Sequence, residues 1–185
     1  MDAAPTAELL RPVLPLPVVG VRLRPFEAAD APALARHAND RDIWRNLRDR
    51  FPHPYTLADA EGYVDFVNGA GSDNLHLCIE ADGEAAGSIS VLFQDDIFRR
   101  QAEIGYWLGR PYWGRGLVTA AVEVLADYAL THFDLCRLYA TVFEYNPASA
   151  RVLAKAGFEL EGRLRRSITK DGQTVDSLLY ARVVA

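Results

Sequence analysis

The stretch Gln101 to Ala121, QAEIGYWLGRPYWGRGLVTAA, leaves the chain few folds to choose from. It opens on a strand-like run, Glu103-Ile104-Gly105-Tyr106-Trp107-Leu108, and turns at Gly109-Arg110-Pro111. It then passes through Gly114-Arg115-Gly116 straight into a helical apolar pattern. Glycine lets backbone N–H groups come close to a phosphate. The first turn of a helix adds unpaired N–H donors at the positive end of its dipole. A sheet must therefore meet a helix at this junction, and a phosphorylated ligand is the expected occupant.

The flanking segments supply the rest of the sheet. Upstream, Val18 to Pro25 alternates Val19, Val21 and Leu23 against Gly20, Arg22 and Arg24, a half-buried strand. Asp30 is the expected N-cap of an alanine-rich helix with Pro32 in its first turn and an end near Asn39. Arg41 to Leu47 reads as a further short turn of helix. Arg48 to Tyr55, RDRFPHPY, carries two prolines and reads as an ordered loop. Thr56 and Asp59 begin a helix with a capping box, which places Tyr63, Phe66 and Val67 at helical spacing and stops near Asn68-Gly69. Period two then takes over. Asn74 to Ala81 is a strand, Asp82-Gly83 a hairpin turn, and Ala86 to Phe93 the return strand.

Downstream of the glycines, Val118, Ala121, Val122, Leu125 and Ala129 form the expected buried stripe of a helix reaching about His132. Arg137 to Val142 is a strand. Asn146-Pro147 opens a short helix, Ala148 to Ala156, closed by Gly157. Phe158 to Arg163 starts a strand, Lys170 to Gln173 turns, and Val175 to Val183 returns. The expectation is one mixed α/β domain over residues 13–185, with an antiparallel meander at its centre and a flexible tail over residues 1–12. No linker or repeat divides it.

Charge and cysteines narrow the function. With 25 acids against 20 bases and a net charge of −5, neither a nucleic acid nor an anionic membrane is the expected partner. Net acidity mildly favours a cationic substrate such as an amine. Cys78 and Cys136 match no metal or redox spacing and suit a reducing compartment. No apolar run approaches the ~20 residues of a membrane span, and the N-terminus lacks a signal-peptide pattern. A cytoplasmic, unprocessed protein is expected. No His/Asp/Glu cluster has ligand spacing, so no metal is expected.

Three phosphate loops compete for the glycine stretch. Gly109 to Gly114 has P-loop spacing, but Arg115-Gly116 stands where the Lys and Ser/Thr belong. Gly114-x-Gly116 opens a dinucleotide fingerprint, but Thr119 occupies its third glycine position and a meander precedes it. The third is the pyrophosphate loop of an acyl-CoA-binding transferase. EIGYWLGRPYWGRGLVTAA followed by NPASARVLAKAGFELEG resembles the GNAT superfamily of N-acetyltransferases, more narrowly its RimJ/RimL-like branch, from about Val21 to the C-terminus. The family loop is Arg/Gln-x-x-Gly-x-Gly/Ala; here Trp113 stands at its first position and Val118 at its last.

The resemblance implies the GNAT fold: a central, mostly antiparallel twisted sheet, splayed at the coenzyme slot, with helices on both faces. It implies acetyl-CoA as co-substrate and acetyl transfer to a primary amine, a protein N-terminal α-amine or a small molecule, by direct attack in a ternary complex. A non-catalytic acyl-CoA sensor or scaffold is the rival reading. The N–H groups of Gly114, Arg115, Gly116, Val118 and Thr119 would meet the pyrophosphate, with charge from Arg115 and from Arg110. Tyr106, Trp107 and Leu108 would line the pantetheine slot. By resemblance, Asn146 would bind the pantetheine arm, Ser149 would donate to the leaving thiolate, and Tyr145 is a reserve acid; Asn146 also reads simply as a helix cap. Glu103, a carboxylate on a central strand, is either the general base, acting through water, or a partner of Arg99 or Arg100. The acceptor is expected along Trp44 to Tyr55, at Trp44, Asn46, Arg48, Asp49, His53 and Tyr55, with Asp49 holding a cationic amine and His53 relaying a proton; the alternative is that Phe51, Pro52 and Tyr55 only pack the loop. A homodimer is compatible with this reading.

Overall fold

One sheet runs through the protein, seen here in a computed structural model that describes residues 10–69 and 73–184. Most of the expected N-terminal tail lies outside the described residues. In chain order the strands are β1 (Leu14–Pro15), β2 (Val21–Arg24), β3 (Leu75–Ala81), β4 (Glu84–Phe93), β5 (Gln101–Leu108), β6 (Arg137–Phe143), β7 (Glu159–Lys170) and β8 (Gln173–Val183). They lie side by side as β1-β2-β3-β4-β5-β6-β8-β7. The helices are α1 (Ala31–Ala38), α2 (Arg41–Trp44), α3 (Leu57–Asn68), α4 (Leu117–His132) and α5 (Pro147–Lys155). No helix among the described residues is long and apolar enough to cross a membrane.

Alternation along the strands sends apolar side chains to two cores. Leu75, Leu77, Ile79, Ile89, Val91, Ala102 and Ile104 pack with α4, which buries Leu117, Ala121, Val122, Leu125 and Ala129. Each large side chain so buried contributes about 1.5–3 kcal/mol. Val118 departs from the expected stripe: it is only half-buried and faces the cavity described below. On the opposite face, α1 and α3 cover Cys78 and Ala85 with Leu34, Ala60 and Val64. Helices thus cover both faces.

Two local expectations change. Asp30 does not cap α1 with its side chain; its carboxylate accepts from the N–H of Glu27 at 2.8 Å and takes a two-pronged ion pair from Arg24. A buried guanidinium needs such a partner. β7 is also longer than expected and reaches Lys170, with register shifts between Leu160 and Gly162 and between Leu164 and Ile168.

The feature that positions the site is a fork. β5 and β6 are parallel, joined by the crossover helix α4, and pair only at Gln101↔Arg137, Ala102↔Leu138 and Glu103↔Tyr139. Beyond Glu103, β5 follows β4 as far as Gly87↔Leu108, while β6 follows β8 as far as Phe143↔Ser177. The β6-facing backbone groups of β5 past Glu103 therefore have no strand partner.

Candidate active site

The fork opens onto the start of α4. Gly114 and Gly116 hold φ of 74° and 75°, the left-handed region that glycine enters without cost. This geometry turns the chain directly into the helix, whose first intrahelical bond runs from the N–H of Ala120 to the carbonyl of Gly116. The N–H groups of Leu117, Val118 and Thr119 precede that bond and are left for a ligand. Gly114, Gly116, Val118 and Thr119 all line one continuous cavity of about 1790 Å³. Single-ligand pockets run to ~1,000 Å³, so this volume has room for a long cofactor and an acceptor together.

The loop is held from behind. Tyr112 donates to Glu84 at 2.6 Å, His37 Nε2 lies 3.0 Å from the same carboxylate, and Arg36 pairs with it. Trp113 Nε1 donates to the carbonyl of Leu108 at 2.6 Å. Gly109 abuts His37, where a Cβ would lie 2.9 Å from the imidazole. Arg115, expected to face the pyrophosphate, instead pairs with Asp82 of the β3–β4 turn at 2.9 Å and stacks on Tyr112. Arg110 is taken by Asp40 and Asp42. Both guanidinium groups are thus committed to carboxylates, and the donors the loop leaves open are backbone N–H groups.

Across the fork stands α5. Asn146 Oδ1 accepts from the N–H of Ser149 at 3.2 Å, so the helix-cap role is real. The hydroxyls of Tyr106 and Ser149 lie 2.9 Å apart and tie β5 to α5 across the fork. Burial pushes the Tyr106 phenol up to about 12, with the Ser149 hydrogen bond opposing. Tyr145 lines the cavity, but its hydroxyl donates to the carbonyl of Arg45 at 2.7 Å. Trp107 meets Phe51 at 5.8 Å between ring centroids, and Leu108 is buried.

Glu103 sits where the fork begins. Its partner is neither Arg99 nor Arg100: Arg100 pairs with Asp134, and Arg48 covers both Glu103 oxygens at 2.6 and 2.7 Å. The loop from Trp44 to Tyr55, where the acceptor is expected, is tied down by its charges. Asp49 does not stand free for an amine; it accepts from Lys170 Nζ at 2.8 Å, and that ammonium lies 3.8 Å above the Trp44 ring. His53 is exposed, stacks on Trp44 at 5.6 Å, and like Trp44 stands outside the cavity lining. Asn46 lines the cavity, donates to the carbonyl of Asp42 at 2.7 Å, and keeps a buried Oδ1 without a partner among the described residues. Tyr55 is buried against Phe51, its N–H bound to Asn39 Oδ1 at 3.0 Å; burial pushes its phenol up to about 12.

The cavity floor beyond Glu103 carries no motif. On the same face of β3, β4 and β5 lie His76, Ser88, Ser90 and Gly105, overhung by Tyr63 of α3. Tyr63 and Ser88 hydroxyls meet at 2.8 Å, as do His76 Nδ1 and the Ser90 hydroxyl. Two signals stood in the sequence: serines alternating with Ile89 and Val91, and a glycine inside a central strand. Lys170 had none, because Lys-Asp-Gly reads as a turn. No group of His, Cys, Asp and Glu among the described residues is arranged to hold a metal ion.

Residues 21–159 match the acetyltransferase (GNAT) domain family. The chain belongs to the GNAT acetyltransferases. Among relatives of this GNAT enzyme, spermidine N(1)-acetyltransferase of Escherichia coli (strain K12) is 29% identical over 159 residues, 83% of this chain and 80% of that protein. Mycobacterium smegmatis RimJ, solved in complex with CoA-disulfide, superposes with a TM-score of 0.80 at 29% identity, covering 94% of this chain and 86% of that one. RimL, the ribosomal L7/L12 alpha-N-protein acetyltransferase solved with coenzyme A, has the same fold at a TM-score of 0.80 and 22% identity, over 94% of this chain and 98% of that one. The GNAT enzyme is thus an N-acetyltransferase with RimJ- and RimL-like neighbours.

Proposed function

We propose that the protein transfers the acetyl group of acetyl-CoA to a primary amine by direct attack in a ternary complex. The observation that carries this reading is the fork between β5 and β6, which joins unpaired N–H groups at the α4 start to a cleft holding Glu103. When bound, acetyl-CoA supplies an activated acyl thioester. The N–H groups from Gly114 to Thr119 hold its pyrophosphate, and the open edge of β5 at Tyr106 to Leu108 pairs with its amide arm. Glu103 takes the amine's proton through water once Arg48 swings clear. Tyr106 stays protonated and donates to Ser149, which leaves the serine hydrogen free to donate to the departing thiolate. Tyr145, with its hydroxyl committed to Arg45, positions the loop instead.

The acceptor is a peptide or small-molecule amine. The buried, unbridged Cys78 supports action in the reducing cytoplasm. The test is calorimetry with acetyl-CoA followed by thiol release over an amine panel. Binding together with amine-dependent release is expected. Binding without release for any amine would support a coenzyme sensor instead.

A further inference from the structure

The cleft is basic in an acidic protein. Six basic and four acidic side chains line the cavity, although the chain carries −5. All four acids are engaged. Asp42 is paired with Arg110, Asp49 with Lys170 and Glu103 with Arg48, while Asp59 closes the capping box of α3. No free carboxylate waits there for a polycation. Of the bases, Arg151 and Lys155 belong to α5 on the coenzyme side of the fork. Arg50 alone stands over the sheet face beyond Glu103 without a hydrogen bond or ion pair among the described residues. Its charge reaches Tyr63 and His76, and burial together with that charge depresses the His76 imidazole to about 4.

The register gives the span. His76 faces Ser90, and Ser90 faces Gly105, one row across β3, β4 and β5. Two strand spacings make that row roughly 10 Å long. Gly105 at its near end is exposed, lies on the same face as Glu103, and has nothing within 4 Å of where a Cβ would project. The row is therefore an open path from Gly105, two residues along β5 from the proton-accepting Glu103, to the neutral His76 and the unpaired guanidinium whose charge reaches it.

We infer that the acceptor amine carries a carboxylate roughly 10 Å away, and that Arg50 is the residue that binds it. This rests on the acetyl-transfer reading for the position of the amine. An extended peptide advances ~3.3–3.6 Å per residue, so an acidic side chain at the second or third position of a peptide N-terminus spans the gap. A polyamine such as spermidine would place a second cation beside Arg50.

The experiment compares two tripeptide amines that differ only by Glu or Gln at those positions, a free ω-amino acid of equal reach, and spermidine. Each is assayed by thiol release with the wild type, Arg50→Gln and Arg50→Lys. The Glu peptide is expected to exceed the Gln peptide at least tenfold in kcat/KM, mostly through KM. Arg50→Gln should bring the Glu peptide down to the Gln level, and Arg50→Lys should restore part of the difference. A rate for the ω-amino acid matching that of the Glu peptide would identify a small-molecule acceptor with the same recognition. Equal rates for Glu and Gln peptides, or a preference for spermidine untouched by Arg50→Gln, would overturn the inference and leave acetyl transfer standing. Calorimetry with the acetylated Glu tripeptide and coenzyme A separates the converse case. Binding lost in Arg50→Gln, with no thiol release from any amine, would keep the carboxylate site and remove the transferase reading.

Discussion

Replacing Glu84 with Gln should loosen the glycine loop, the proposed coenzyme site, from behind, with an effect that fades in acid. The carboxylate receives the Tyr112 hydroxyl at 2.6 Å, His37 and Arg36. The Tyr112 hydrogen bond leads the effects that hold it down from 4.5 to about 2, against the opposing pull of burial. At ~1.36 kcal/mol per pH unit, that drop corresponds to about 3.4 kcal/mol. The side chain is 36% exposed and its Arg36 partner 57% exposed, so solvent screening reduces the figure to about 1–2 kcal/mol. For a chain of this size that is a fall in Tm of about 2–8 °C. Because the folded value is depressed, the stabilisation is complete above pH 4.5 and disappears as the pH falls towards 2. Thermal melts of both proteins at pH 7 and pH 3 check this. The difference at pH 3 should be less than half that at pH 7, and coenzyme affinity at pH 7 should weaken by up to about tenfold. A Tm difference that stays the same at both pH values would refute the electrostatic argument, and unchanged affinity would refute the link from Glu84 to the loop.

Three further perturbations address the site itself. Glu103→Gln should lower kcat by about 10²-fold or more with its pH dependence altered; an unchanged rate and pH profile removes Glu103 as the base. Gly116→Ala has open space for the methyl group but must hold φ of 75°, costing ~1–2 kcal/mol, whereas Gly116→Asp adds a carboxylate against the pyrophosphate. Calorimetry should show the Asp variant binding acetyl-CoA more weakly than the Ala variant, and equal affinities would displace the phosphate site. Gly105→Leu should raise the acceptor KM while calorimetry shows coenzyme affinity kept; unchanged acceptor kinetics would move the acceptor off this sheet face.

The legible parts of the fold are those written by local rules. Asp82-Gly83 forms its hairpin because Asp82 and Gly83 both accept positive φ, 54° and 85°. The Thr56–Asp59 box opens α3 through reciprocal hydrogen bonds, and the alternation of Leu75, Leu77 and Ile79 aims one face of β3 at α4. The glycine loop was legible for the same reason, since its backbone geometry is local. Side-chain partners were not. Glu103 lies 55 positions from Arg48, and Asp49 lies 121 from Lys170. No spacing rule spans such separations; only the completed sheet brings β7 and β5 under one loop. Asp30 shows the same limit at short range, where the buried Arg24 competes for the carboxylate expected to cap α1 and wins it.

The long-range pairs also decide how the two halves of the cleft communicate. Arg48 grips Glu103, the proposed base, Asp49 anchors the loop to the β7–β8 hairpin, and Arg50 lines the cavity with its charge reaching Tyr63 and His76, so three consecutive residues act on three parts of the site. A loop pinned at its middle by a buried ammonium can let Arg48 move without releasing Arg50. An acceptor carboxylate bound at Arg50 would then fix the far end of the substrate while its amine approaches Glu103. The Arg48–Glu103 pair is the part that must break. Arg48 is 56% exposed and Glu103 16%; a fully exposed ion pair is worth only ~0.2–1 kcal/mol, and the partial burial of Glu103 raises the cost that binding at Arg50 must offset. The Asp49–Lys170 pair has its ammonium only 3% exposed, and breaking it would strand a buried charge at several times that cost.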